Sequence, residues 1–226
     1  CDIILAAIGE KKDESGEAAS RASIDIHPEH RAMAEALLAT GKPVVAVLYN
    51  GRPLALGDLA EQLDTIVEAW HPGVEAGNAL CDILFGEVNP SAKLTTTFPY
   101  ASGQCPMYYA HINTGRPGGR AKFTSKYLDT PLTPVFPFGY GLSYTKYEYT
   151  DLIVKKEAGY TRVCAKVTNT GTHAGDEIAQ CYVRDLVAQR VRPVKQLVSY
   201  TKIHLNPGES RTVEFHIPDK KLGYYD

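Results

Sequence analysis

Ile3-Ile4-Leu5-Ala6-Ala7-Ile8, followed by the loop Gly9-Glu10-Lys11-Lys12-Asp13-Glu14-Ser15-Gly16-Glu17-Ala18-Ala19-Ser20-Arg21, is the stretch that decides how this chain reads. A continuous apolar run of strand length suits a parallel sheet covered on both faces, and ligands of such sheets collect beyond the carboxyl ends of the strands. The loop therefore stands where an α/β sheet does its chemistry, and Glu17 is the first candidate for a working residue. Outward from that strand, residues 1–99 alternate strand and helix. Val44 to Leu48, Thr65 to Trp70 and Leu94 to Phe98 read as further strands, with helices opening at Pro28, near Asp58 and from Val74. This alternation predicts a parallel α/β sheet. Pro28 suits a first helical turn, Gly41 and Pro43 close that helix, and Gly86 with Asn89-Pro90 closes the last one.

Residues 101–146 gather glycine, proline and tyrosine with hardly any periodicity, and so long a connection is expected to carry function or to bridge domains. Over 147–226 the pattern changes to short β runs: Asp151 to Lys156, Tyr160 to Asn169, Glu177 to Arg184, Leu197 to His204 and Arg211 to Ile217. Turn-formers such as Thr170-Gly171 and Asn206-Pro207-Gly208 separate them, which predicts a β-sandwich. Five strands are visible where a complete sandwich of the fibronectin type needs about seven. With Cys1 already inside strand-like sequence, the natural protein is expected to extend beyond both ends of this chain.

The 226 residues are 44% apolar, enough for one large or two ordinary domains with a proper core. Lysine and arginine number 24 against 26 acids, a net charge of −2, so nothing favours nucleic acid or anionic lipid, and a neutral partner is expected. No apolar run approaches the roughly 18 residues of a membrane span, and no charged n-region precedes an h-region. The five cysteines are scattered and contain no CxxC pair, which argues against a disulfide framework or a zinc site. Cys164 and Cys181 fall in neighbouring expected strands but read as two small half-buried side chains.

Taken alone, a loop glutamate such as Glu17 is most often a solvated charge. Gly16 gives its loop freedom, Arg21 could orient the carboxylate, and Glu10, Asp13 and Glu14 supply like charges that would raise its proton affinity, as a general acid requires. The rival chemistries fit less well. The loop matches neither GxGxxG nor GxxxxGK[ST], and its four acids would repel a phosphate. Gly141-Leu142-Ser143-Tyr144-Thr145 is not a nucleophile elbow, and neither HExxH nor a calcium loop is present, so no metal or cofactor is expected. His27 and His30 read as capping or surface residues rather than ligands. Trp70 ends a strand, where an aromatic ring serves as a sugar platform or as a large core residue. Tyr108, Tyr109, Tyr127, Tyr140 and Tyr144 either line a carbohydrate site or seal an interface, the latter being favoured for most.

Several of these segments together resemble the C-terminal part of glycoside hydrolase family 3, especially the bacterial periplasmic β-glucosidases. They are Ser15 to Arg21 (SGEAASR), Gly41 to Leu56 (GKPVVAVLYNGRPLAL), Ala69 to Gly77 (AWHPGVEAG), Leu84 to Pro99 (LFGEVNPSAKLTTTFP), Asn113 to Pro117 (NTGRP), Phe136 to Thr145 (FPFGYGLSYT), Val167 to Gly175 (VTNTGTHAG) and Arg192 to Leu197 (RPVKQL). They run in order over essentially the whole chain. His71 stands where relatives often have tyrosine, and Ala92 where they often have glycine.

The resemblance implies that residues 1–100 are the C-terminal half of an α/β sandwich, 101–146 an interdomain or active-site-edge segment, and 147–226 a fibronectin type III-like domain lacking its last strands. It implies a retaining mechanism whose nucleophile aspartate lies on an N-terminal (β/α)8 barrel with no counterpart here. The general acid/base falls on Glu17, with Glu14 as fallback, and Arg21 and Trp70 become candidate substrate-binding residues. Expected partners are a β-linked oligosaccharide or glucoside and the barrel, with a periplasmic or secreted location. The alternatives are a β-xylosidase of the same family or a non-catalytic carbohydrate-binding or complementing fragment. The sandwich resembles a brace more than a sugar-binding module, because it offers no exposed aromatic row.

Overall fold

The computed structural model describes residues 1–116, 118–119 and 121–223. The expected NTGRP motif therefore lies within them except for Pro117. The chain divides into two compact units: Cys1–Gly77 with Thr95–Tyr109 and Thr114–Phe138, and Asn78–Leu94 with Ala110–Asn113 and Gly139–Asp226.

The first unit is built on three parallel strands, β1 (Ile4–Gly9), β2 (Val44–Tyr49) and β3 (Thr65–Glu68), in the order β1-β2-β3. Ile8 pairs with Leu48, and Leu48 with Glu68, so the three strands end side by side. β2 lies in the middle and is valine-rich, with Val44, Ala46, Val47 and Leu48 all buried, as a strand flanked on both edges requires. Helix α1 (Pro28–Leu38) starts on Pro28 and buries Ala34, and the short α2 (Leu59–Gln62) buries Leu59. Leu54, Leu56 and Phe98 complete this core. Each such side chain contributes about 1.5–3 kcal/mol by leaving water.

Three expectations need correction. β1 is an edge strand whose Leu5 is 59% exposed, so its apolar character reflects cover on one face only among the described residues. Leu94 to Phe98 is not a strand of the sheet. The backbone of Phe98 is consumed instead by an antiparallel bridge to Phe136, with N–H donation from Phe98 to Phe136 O at 2.8 Å and from Val135 to Phe98 O at 2.9 Å. β3 ends at Glu68 rather than Trp70, because Trp70 adopts a left-handed φ of 51° that no strand tolerates.

In the second unit β4 (Tyr147–Glu157), β5 (Tyr160–Asn169) and β8 (Ser210–Pro218) form one antiparallel sheet in the order β4-β5-β8. β6 (Gly175–Val183) and β7 (Gln196–Leu205) form another. Alternating residues Val167, Ala179, Ile203, Leu205, Val213, Phe215 and Ile217 make its core. β4 begins four residues before the expected Asp151, since Asp151 (φ 54°) marks a register break inside the strand and not its start. Cys164 and Cys181 sit on strands of different sheets, and all five thiols are free.

One buried polar residue ties this unit's loops together. The Asn169 side chain donates to His173 O (2.7 Å) and Leu205 O (3.0 Å), and accepts from Thr145 Oγ1 (2.6 Å) and Gly171 N (3.1 Å). Asn89 does a similar service on the surface. It accepts from Ser143 Oγ and Tyr144 N and donates to Ala174 O, which fastens the stretch before Pro90 to the start of the sandwich.

Candidate active site

The site begins where β1 stops. Gly9 has φ 143°, and a Cβ there would lie 2.0 Å from the Tyr49 carbonyl oxygen, so only glycine lets the chain leave β1 against the end of β2. The Glu10 carboxylate that follows is buried, its side chain 1% exposed. Its Oε1 accepts from Arg52 Nη1 at 2.5 Å and from Arg21 Nη1 at 3.3 Å, and its Oε2 accepts from Gly51 N at 2.9 Å. A buried carboxylate between two guanidiniums is compensated, whereas removal of one partner would leave it stranded.

Arg52, in the loop after β2, also donates to Glu14 O (2.8 Å) and Ala19 O (2.7 Å). Its guanidinium thus holds both ends of the segment that carries Glu17. His30 Nδ1 lies 3.0 Å from Gly9 O and fixes the loop's root. His27 occupies the N-cap position of α1 without capping it and pairs instead with Glu14 Oε2 at 2.7 Å. The two histidines are therefore loop fasteners.

The two candidate carboxylates differ. Glu14 accepts from Lys11 N (2.8 Å) and from His27, and lies 3.9 Å from Arg21. The Lys11 N–H, then the His27 contact, hold its carboxyl below the usual range, opposite to what a proton donor needs. Glu17 sits in the turn from Gly16 to Ala19, closed by a long 3.4 Å bond from Ala19 N to Gly16 O, with Ala18 at φ 59°. It is exposed, and no hydrogen bond or ion pair ties down its carboxylate among the described residues. Arg21 does not orient Glu17. It is committed to Glu10, Glu14 and Asp25 O.

Beside this loop lies an open cleft of about 440 Å³ lined by Gly51, Arg52, Pro53, Trp70, Thr95 and Thr96. Trp70 packs into the core, its ring at 57° to that of Phe98 with centroids 5.7 Å apart, and also borders this cleft. Its left-handed backbone is a strained conformation for a bulky residue, of the kind that clusters at functional sites. The Trp70 N–H is held by Glu68 Oε1 at 2.9 Å, and Glu68 Oε2 accepts from Asn50 Nδ2 at 3.3 Å. Burial pushes the Glu68 carboxyl up to about 7, with the Trp70 and Asn50 donors pulling weakly the other way. Asn50 is fully buried and also donates to Arg52 O at 2.8 Å, but its Oδ1 has no partner among the described residues.

His71 Nε2 lies 3.4 Å from Ser15 Oγ, and a Cβ on Gly51 would come within 1.8 Å of that hydroxyl, so Gly51 is the gap into which the loop packs. Of the tyrosines, Tyr109 stacks on Phe138 at 4.1 Å, Tyr127 OH donates to Gly103 O, and Tyr144 OH donates to Ile83 O. Sequence reasoning missed Arg52, Asn50 and Glu68. Their one visible signal is position, since each lies at or just beyond the carboxyl end of β2 or β3.

Loop carboxylates and an aromatic-walled cleft thus stand at the ends of parallel strands, the place where ligands of such sheets collect, with an antiparallel sandwich later in the chain. The chain belongs to glycosyl hydrolase family 3: residues 1–144 match the family's C-terminal domain and residues 177–226 a fibronectin type III-like domain. It is 45% identical over 232 residues to the periplasmic beta-glucosidase of Salmonella typhimurium, covering 100% of this chain and 30% of that protein. It is 40% identical to a beta-xylosidase of Formosa agariphila, covering 99% and 30%. Among solved structures, the beta-glucosidase of Listeria innocua in complex with glucose superposes with a TM-score of 0.95 at 40% identity, covering 100% of this chain and 32% of that one. The chain thus spans about 30% of the length of the relatives it matches.

Proposed function

We propose that this chain supplies the general acid/base of a retaining β-glucosidase that hydrolyses terminal β-D-glucosyl residues, and that Glu17 is that group. The nucleophile aspartate would come from a (β/α)8 barrel portion, with residues 1–100 serving as half of an α/β sandwich, 101–146 as the segment edging the site, and 147–226 as a fibronectin-like brace. A periplasmic or secreted location fits the name of the Salmonella relative.

The observation that carries the reading is the contrast between the two loop carboxylates. Glu14 is tied up and held ionised, while Glu17 stands untied on a turn whose two ends are anchored. A retaining glycosidase needs its two carboxyl groups about 5–5.5 Å apart, one attacking the anomeric carbon while the other protonates the leaving oxygen. An untied carboxylate on a loop can be delivered to such a distance from a second domain. As the protonated acid of the pair, it would donate its proton to the leaving oxygen in the first step. In the second step, as a carboxylate, it takes a proton from water as that water displaces the enzyme carboxylate from the anomeric carbon.

The test is a chimera in which this chain replaces the matching part of the Listeria innocua enzyme. With an activated aryl β-glucoside, Glu17→Ala should slow deglycosylation by about 10²–10⁴-fold and be partly rescued by azide. Near-normal turnover of that variant returns Glu17 to the solvated-loop reading. The 226-residue chain alone should show no hydrolysis. The Formosa relative favours a second reading as a β-xylosidase, and comparing aryl glucoside with aryl xyloside in the protein that carries this chain decides between them.

A further inference from the structure

We infer that Arg52 is the positioning residue that holds the Glu17 turn in working geometry, with Glu10 as the buried counter-charge that aims it. The inference rests on the reading of Glu17 as acid/base. One guanidinium makes three strong contacts: to Glu10 Oε1 at 2.5 Å, to Glu14 O at 2.8 Å and to Ala19 O at 2.7 Å. The last two carbonyls bracket residues 15–18. Inside that bracket the turn has little of its own to hold it, since Ala19 N to Gly16 O is 3.4 Å and Ser15 Oγ to His71 Nε2 is 3.4 Å. Glu10 cannot swing away, because Gly51 N holds its other oxygen and its side chain is 1% exposed.

Lysine could not do this work. Its single ammonium is a point charge on a flexible stem, whereas the planar fork of arginine spans a carboxylate and two separate carbonyls at once. Arg52 is also a wall of the cleft beside Trp70. The same residue therefore sets the place of the turn and the edge of the space next to it.

Two measurements test this. In the 226-residue chain, a glutamate-specific endoprotease should cut after Glu17 about ten-fold faster in Arg52→Lys than in wild type, with the cooperative melt retained. Should Arg52→Lys not fold, Glu10→Gln, which keeps one acceptor oxygen, turns the other into an amide donor and removes the counter-charge, should give the same change. Unchanged cleavage in a folded variant overturns the inference whatever the activity data say. In the Listeria chimera, Arg52→Lys should lower kcat on a poor leaving group about 100-fold and on an activated aryl glucoside about ten-fold, with KM within about three-fold. Adding Arg52→Lys to Glu17→Ala should cost nothing more, because two residues acting as a unit are non-additive. Equal losses on both leaving groups, or full additivity, would show that Arg52 acts elsewhere. A silent Glu17→Ala would instead sink the acid/base reading and leave the clamp to be judged by proteolysis.

Discussion

Two fully buried asparagines, one in each unit, solve the same problem in opposite ways. Asn169 in the sandwich spends every donor and acceptor it has on Thr145, Gly171, His173 and Leu205. Asn50, at the end of β2, gives both amide hydrogens to Arg52 O and Glu68 but leaves its carbonyl without a partner among the described residues. The four bonds of Asn169 fix the loops around it, while the hydroxyl of its cross-strand neighbour Tyr147 is buried without a partner among the described residues. Around Asn50 sit a carboxylic acid with a displaced pKa, a tryptophan in left-handed backbone and a guanidinium that reaches the candidate catalytic loop. At the strand ends, where the family's chemistry is proposed to occur, an unpartnered carbonyl, a displaced carboxyl pKa and a left-handed tryptophan coincide, whereas Asn169 itself is fully bonded.

The contrast breaks most visibly at Asn169. Asn169→Ala leaves two carbonyls, an amide and a hydroxyl without their partner in one step, and the loss of a complete buried network costs about 3–4 kcal/mol. Chemical denaturation followed by circular dichroism should show the sandwich transition moving to lower denaturant with the α/β transition in place. A loss under about 1 kcal/mol would mean that the network is replaceable, and the two asparagines would then not differ in kind.

Glu68 sharpens the comparison through pH. Its carboxyl is raised from 4.5 to about 7 in the folded chain, so the folded state binds this proton more tightly than the unfolded state does. The stability this provides is complete below about pH 4.5 and is lost as pH rises to about 7, where the folded state must hold a buried charge. At 1.36 kcal/mol per pH unit, the full swing is on the order of 3 kcal/mol. Glu68→Gln keeps an acceptor for Trp70 N–H and removes the titration. The stability difference between variant and wild type should therefore change by about that amount between pH 4.5 and pH 8, in favour of the variant at high pH. Parallel stability curves over that range would show that the carboxyl titrates normally. Glu14 titrates the opposite way, its carboxyl being held low, so its share of stability falls away in acid. That is why the comparison must be variant against wild type and not a single curve.

Much of this was legible in residue patterns. The alternation of valine-rich runs with Pro28-led and glycine-closed helices gives the parallel unit. The period-two β runs with Asn206-Pro207-Gly208 between them give the sandwich, down to both ends of β5. The failures have physical causes. Leu94 to Phe98 has strand composition, but its partner is a distant segment around Phe136, and pairing at such separation leaves no local mark. Trp70 reads as the last strand residue because its left-handed φ is imposed by tertiary context, with Glu68 capturing its N–H. Glu17 and Glu14 were both visible as loop acids, yet nothing in their spacing says which one Lys11 N and His27 would occupy. Arg52 was visible only as part of a glycine-proline loop, since a guanidinium's reach to Glu10, Glu14 and Ala19 spans more than thirty positions of sequence.

The smallest effect is expected where the contrast is most direct. Asn50→Ala deletes two hydrogen bonds but also deletes a buried carbonyl that is already without a partner, so part of the loss is returned. The net cost should be about 1 kcal/mol, well below that of Asn169→Ala despite equal burial and identical chemistry of substitution. A second consequence keeps the interpretation honest. The Asn50 amide is one of the two donors that favour the ionised form of Glu68, so its removal should move the pH dependence of stability to higher pH. Carbon NMR of the Glu68 carboxyl across pH 5 to 9 reads that shift directly. If Asn50→Ala costs as much as Asn169→Ala and leaves the Glu68 titration in place, then the Asn50 carbonyl must be satisfied in solution. Asn50 would then be as completely bonded as Asn169, and strain alone would mark the strand-end site.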